Sequence, residues 1–270
     1  PTDEVMPESK LKPKFSEEMI ALMPPGFQMP EELVEAMDWL EAQGNRGTYT
    51  GSAQQGIEAE YLAFYPRQDW IDKRNVSLAH FNYRGRFDYG GWGEDQTNRV
   101  FQFVVTGGEG STAGFWLDDK GKQWIFHHGS GSGSDWWGLI SDDPLDLLKL
   151  LAIGYDEPAF YESHSSSLCE LNLSADRLFG SIKPPIAFQR YLENRYGFEM
   201  PRSASEFLPF PAQPGHEPPS DPFAKWLDEI TPKTSPAMEA YYADYWKWLE
   251  SIDDDFITKT EAETVDEWFQ

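Results

Sequence analysis

The 270 residues carry 22 basic against 46 acidic side chains, a formal net charge of -24, with 40% hydrophobic and 15% aromatic content. That is ample material for one core with a substantial extension or for two domains, and the charge disfavours nucleic acid and anionic lipid as partners. No stretch approaches the roughly 20 apolar residues of a membrane span, PTDEVMPESK lacks the order of a secretory signal, and the single cysteine, Cys169, excludes an internal disulfide and a cysteine-based metal cluster. A cytoplasmic protein is expected. The charge is spread along the chain: 13 basic and 26 acidic residues up to position 160 (net -13), 9 and 20 after it (net -11).

In chain order, Pro30, Glu31 and Glu32 suit a helix first turn, and Leu33, Val34, Met37 and Leu40 recur at helical spacing up to Gln43-Gly44. From Glu60 to His128 the pattern changes to short aromatic and β-branched runs, EYLAFY, NVSLAHFNY, RVFQFVVT, AGFWL and KQWIFHH, which read as strands. Asp118-Asp119-Lys120-Gly121 has the residues of a hairpin turn. No helical run separates the strands, so the sheet is expected to be mainly antiparallel. GRFDYGGWGED, residues 85 to 95, interrupts them with glycines and acids around Phe87, Tyr89 and Trp92 and reads as an exposed loop.

HHGSGSGS, residues 127 to 134, is a flexible linker by composition. Asp143-Pro144 then reads as an N-cap and first helical residue, with Leu145, Leu148 and Leu151 facing inward and Gly154 as the stop, giving a helix that covers the sheet. Beyond residue 160 the signals are helical. Phe188, Leu192 and Tyr196 share a face ending at Gly197, PFPAQPGHEPPSDP connects onward, and Asp221-Pro222 and Ser235-Pro236 each begin a further helix. The expectation is an α+β fold: an N-terminal helical segment (1–59), a core of mainly antiparallel sheet flanked by helices (60–160), and a helical C-terminal extension packed on it (161–270).

Catalytic motifs fail on spacing. HHGSGSGS lacks the Lys-Ser/Thr pair of a phosphate loop and the flanking glycines of a nucleophile elbow, and adjacent His127 and His128 on a strand point to opposite faces rather than to one metal. Carboxylate pairs at Glu94-Asp95, Asp118-Asp119, Asp142-Asp143 and Asp156-Glu157 are abundant without any mark of desolvation. Cys169 lacks a nucleophile signature and reads as a small buried thiol. Trp39, Trp226 and Trp248 read as core. No catalytic residue, metal site, cofactor or small-molecule substrate is expected.

The stretch GFWLDDKGKQWIFHHGSGSGSDWWGLISDDPLDLLKLLAIGYDE, above all DPLDLLKLLAIGYDE, resembles the SUKH superfamily, the group of the fungal cell-wall-synthesis regulators and many bacterial immunity proteins. FQRYLENRYGFEMPRSASEFLPF and DPFAKWLDEI resemble the C-terminal extension of bacterial members, so the likeness runs from about residue 113 to residue 230. It implies an α+β fold, no enzymatic activity, and protein binding. In bacteria the implied task is neutralising a cognate toxin, often a nuclease delivered by contact-dependent or type VI secretion.

Three functional readings follow. The first is an immunity protein that occludes the active site or substrate groove of a basic toxin domain, with an acidic surface entering the field that holds phosphates. The second is a regulatory scaffold for endogenous protein partners, and the third an unrecognised hydrolase, which the failed motifs disfavour. For the interface, Phe87, Asp88, Tyr89, Trp92, Glu94 and Asp95 combine aromatics, carboxylates and glycines, and the alternative is that Tyr89 and Trp92 fold back on the core. Asp135, Trp136 and Trp137, at the end of the linker, are the second candidate surface.

Overall fold

Hydrophobic alternation over residues 100 to 141 produces a sheet with two apolar faces. In the computed structural model, which describes residues 12–50, 58–71, 75–83, 93–130, 134–173, 181–210, 221–230 and 247, seven strands pair antiparallel in sequence order. They are β1 (Arg46–Thr50), β2 (Glu58–Ala63), β3 (His80–Phe81), β4 (Val100–Val105), β5 (Thr112–Leu117), β6 (Gln123–His128) and β7 (Trp137–Ser141). The helices are α1 (Phe15–Leu22), α2 (Glu31–Ala42), α3 (Arg67–Ile71), α4 (Glu94–Thr97), α5 (Pro144–Ile153), α6 (Leu168–Leu173), α7 (Ile186–Tyr196) and α8 (Pro222–Ile230). This is the α+β, mainly antiparallel architecture expected from the strand runs.

The alternation divides the sheet side chains between two clusters. Phe101, Phe103, Phe115, Ile125 and Ile140 join the main core with α2, α5 and α7. Val100, Trp116, Phe126 and Leu139 point the other way, to Phe223, Trp226 and Leu227 of α8. Register shifts between Gln102 and Val104 and between Ile125 and Phe126 add a residue to β4 and to β7. The first lets Phe103 and Val104, although neighbours in sequence, both reach the main core.

Local chemistry fixes the covering helices. Asp143 caps α5 by accepting from the Leu145 N–H at 2.8 Å, and Gly154 ends it at φ 83°, a left-handed conformation that favours glycine. Leu145 is only half-buried, while Leu147, Leu148, Leu150 and Leu151 are fully buried, because this helix has packing partners on more than one side. Gly197 stops α7 in the same left-handed way.

The sheet extends further at both ends than the sequence runs indicate. β1 precedes Glu60 and pairs along β2, and β7 lies inside the stretch read as the approach to α5. Residue contacts divide the chain into two units, Pro1–Ile230 and Thr231–Gln270. The helix expected after Ser235-Pro236 lies outside the described residues.

Candidate functional site

The strand register gathers acidic residues at one end of the sheet. β4 begins where β5 ends (Val100 opposite Trp116), β5 and β6 are joined there by the turn at Asp118–Gly121, and β7 finishes there with Ser141 opposite Ile125. The end therefore carries Glu94 and Asp95 on α4, Asp118 and Asp119 in the turn, and Asp142 and Asp143 after β7, against Arg99, Lys120 and Lys122.

Most of these carboxylates have a structural task. Asp118 Oδ1 accepts from the N–H groups of Lys120 and Lys122, its Oδ2 accepts from Trp124 Nε1 at 3.1 Å, and Gly121 at φ 75° completes the turn. Asp119 pairs with Arg99 at 2.8 Å, Asp142 with Lys122 at 2.6 Å, and Asp143 caps α5. Glu94 and Asp95 differ. Both are exposed on a four-residue helix, and no ion pair or side-chain hydrogen bond engages either carboxylate among the described residues. The α4 backbone is nonetheless anchored: Gly93 C=O accepts from Thr97, and Arg99, which follows the helix, donates to Leu117 C=O and lies over Trp116 and Trp226.

Phe87, Asp88, Tyr89 and Trp92, the aromatic half of this candidate surface, lie outside the described residues. The second candidate surface requires a correction. Trp136 is 1% exposed, stacked on His127 at 4.1 Å and edge-on to His164 at 4.9 Å, so it is a core residue and not an exposed anchor. Trp137 is half-buried, stacked on His128, and donates from Nε1 to Gly129 C=O at 2.6 Å. Asp135 is half-buried. The described part of the Gly/Ser linker is tied down: Gly129 N–H donates to Trp136 C=O at 2.9 Å, Ser130 N–H to Ser111 Oγ, and Ser134 Oγ to Ala159 C=O. Composition alone reads this segment as free, whereas its described residues are held by hydrogen bonds and by the burial of Trp136.

His127 lies behind Trp136. Its Nδ1 donates to Trp136 C=O, since a carbonyl can only accept, which leaves Nε2 to accept from Thr106 Oγ1 at 2.8 Å. Complete burial pushes its pKa down to about 3, and burial likewise lowers His128 to about 3 and His164 to about 4. These imidazoles are neutral core groups.

The opposite end of the sheet holds a second acidic group. Glu157 is half-buried against Glu109, and desolvation, reinforced by hydrogen bonding to the Glu109 carboxylate, raises its pKa to about 7 although Gly108 N–H donates to it at 2.8 Å. Composition gave no sign of this desolvation, because Glu109 and Glu157 are brought together only by the packing of the β4–β5 loop against the segment after α5.

Cys169 is exposed, not buried as expected, because α6 turns Leu168 toward the core and leaves Cys169 on its outer face. It borders an open, mainly apolar cavity of about 660 Å³ with Leu168, Ile153 and Pro184. Among the described residues no group of three or more His, Cys, Asp or Glu side chains is placed to hold a metal ion, and no helix is long and apolar enough to cross a membrane. Compared with known proteins, the chain matches no family model, no curated protein and no solved structure.

Proposed function

We propose that the protein is an immunity protein of the cytoplasm that binds a cognate basic toxin domain, such as a nuclease, and blocks its active site or substrate groove. The observation that carries this reading is the pair Glu94 and Asp95, exposed on α4 without a partner among the described residues, beside four further carboxylates in a chain of net charge -24. A nuclease groove is basic because it must hold phosphates, and exposed carboxylates that make no ion pair with the described residues are suited to occupy the same field. The resemblance of residues 113 to 230 to the SUKH superfamily supports the same reading. The chain acts by occlusion, with no substrate or cofactor of its own.

The test is genetic and direct. Co-expression should rescue cells from the toxin encoded beside this gene, and deleting the gene should leave the strain sensitive to toxin-bearing siblings. A deletion strain no more sensitive than its parent removes the main support for the reading.

A further inference from the structure

We propose that the turn between β4 and β5 is a proton-operated clasp: a proton on Glu157, donated to Glu109, holds residues 107–110 against the segment after α5, and its loss frees them while β4 and β5 stay paired. The proposal is independent of the toxin reading.

The geometry calls for a proton. Glu157 Oε2 accepts from Gly108 N–H at 2.8 Å. Glu109 reaches the same place because it folds back over Gly107, where a Cβ would collide with its carboxylate. Its Oε1 accepts from Ser111 Oγ, and its Oε2 is buried with no donor among the described residues. A buried acceptor without a donor is costly, and a protonated Glu157 within hydrogen-bond reach supplies one, so the two carboxyls share a single proton. The charged groups that act on Glu157 are Glu109 across the contact and Asp156 beside it; both are acidic, so neither favours the second negative charge. His164 donates to Pro158 C=O and His127 accepts from Thr106, and burial keeps both imidazoles neutral at neutral pH. Ser77 and Leu78, packed on the same segment and turn, bring no charge.

Hydrogen bonds mark where the moving part begins. Thr106 N–H donates to Ser111 C=O at 3.0 Å and Ala159 N–H to Thr106 C=O at 3.2 Å, which closes the base of the turn. Beyond that base lies Gly107-Gly108-Glu109-Gly110, three glycines in four residues, which gain the most backbone freedom on release. This tip meets Leu78 at Gly108 and Glu157 at both Gly108 and Glu109. Burial and the Glu109 carboxylate raise the Glu157 pKa to about 7, so the clasp is closed below that pH and opens above it.

Backbone NMR of the full chain from about pH 5.5 to about pH 8.5 tests the clasp. The Gly108 and Glu109 amide shifts should follow one titration with its midpoint at about 7, and their order parameters should fall from about 0.85 to below about 0.6 above it, while those of Phe103 and Phe115 stay constant. Glu157→Gln places a permanent N–H donor opposite Glu109 and should keep the tip ordered throughout. Glu109→Gln removes the opposing charge and should lower the midpoint by about one pH unit or more. A tip as ordered at the alkaline end as at the acid end, a transition that survives in Glu157→Gln, or a midpoint unmoved in Glu109→Gln overturns the proposal.

Discussion

At one end of the sheet two carboxylates face water with no partner among the described residues, and at the other two carboxylates face each other. Glu94 and Asp95 project from α4 without a partner among the described residues, whereas Glu157 packs against Glu109 and is held near neutrality by burial and by that second carboxyl. The difference is one of environment, not composition, since both ends carry adjacent acids in the sequence. An exposed pair adds to the field a partner meets at little cost to the fold, while a half-buried pair titrates with the fold. The same distinction separates the two candidate surfaces, because Trp136 is buried and Trp137 half-buried, whereas Glu94 and Asp95 are exposed.

The sharpest way to break that division is Trp136→Ala. Removing a fully buried indole stacked on His127 and edge-on to His164 should cost about 3–5 kcal/mol, measured by chemical denaturation. A variant as stable as the parent would return Trp136 to the surface.

The next effect is in pH. His127 and His164 have folded pKa values of about 3 and about 4 against an ordinary 6.5, so the unfolded chain takes up protons the folded chain refuses. Their contribution to stability is full above pH 6.5 and is lost as pH falls toward those values. Glu157 runs the other way: its pKa is raised from 4.5 to about 7, so its contribution is full below pH 4.5 and is lost as pH rises through 7. Denaturation midpoints of Glu157→Gln across that range should lose the alkaline decline and keep the acid one. An unaltered alkaline limb would place the coupling elsewhere.

A smaller effect is expected from Asp143→Ala, which removes the α5 cap and should lower stability by about 1 kcal/mol while leaving binding by the folded protein intact. Wild-type stability combined with lost binding would make Asp143 part of the interface instead.

Much of this architecture is readable from residue order. The helix 31–42, the Asp143-Pro144 cap, the stops at Gly154 and Gly197, and the turn at Asp118–Gly121 each depend on local chemistry that a few adjacent residues specify. β7 is missed because Trp137-Gly138 follows a Gly/Ser run, although Leu139 and Ile140 pointing to opposite faces is the period of a strand. β1, the run Arg-Gly-Thr-Tyr-Thr, holds no aliphatic side chain and owes its place to its pairing with β2. Cys169 and Trp136 exchange their expected environments because burial there is decided by distant elements, as is the meeting of Glu109 and Glu157. Glu94 and Asp95 are identifiable as acids in a glycine-rich stretch, but their lack of partners among the described residues emerges only once Arg99 and Lys122 are seen to be taken by Asp119 and Asp142.

On the proposed function, Glu94 and Asp95 of α4 meet a basic partner. Glu94→Lys combined with Asp95→Lys leaves every described ion pair intact and should not change stability beyond about 0.5 kcal/mol. Association kinetics with the protein encoded beside this gene, measured across a salt series, test the claim directly. Association should be slower with a flattened salt dependence, and dissociation should change much less, as expected of charges at the rim of an interface. Association rates and salt dependence identical to those of the parent would contradict it.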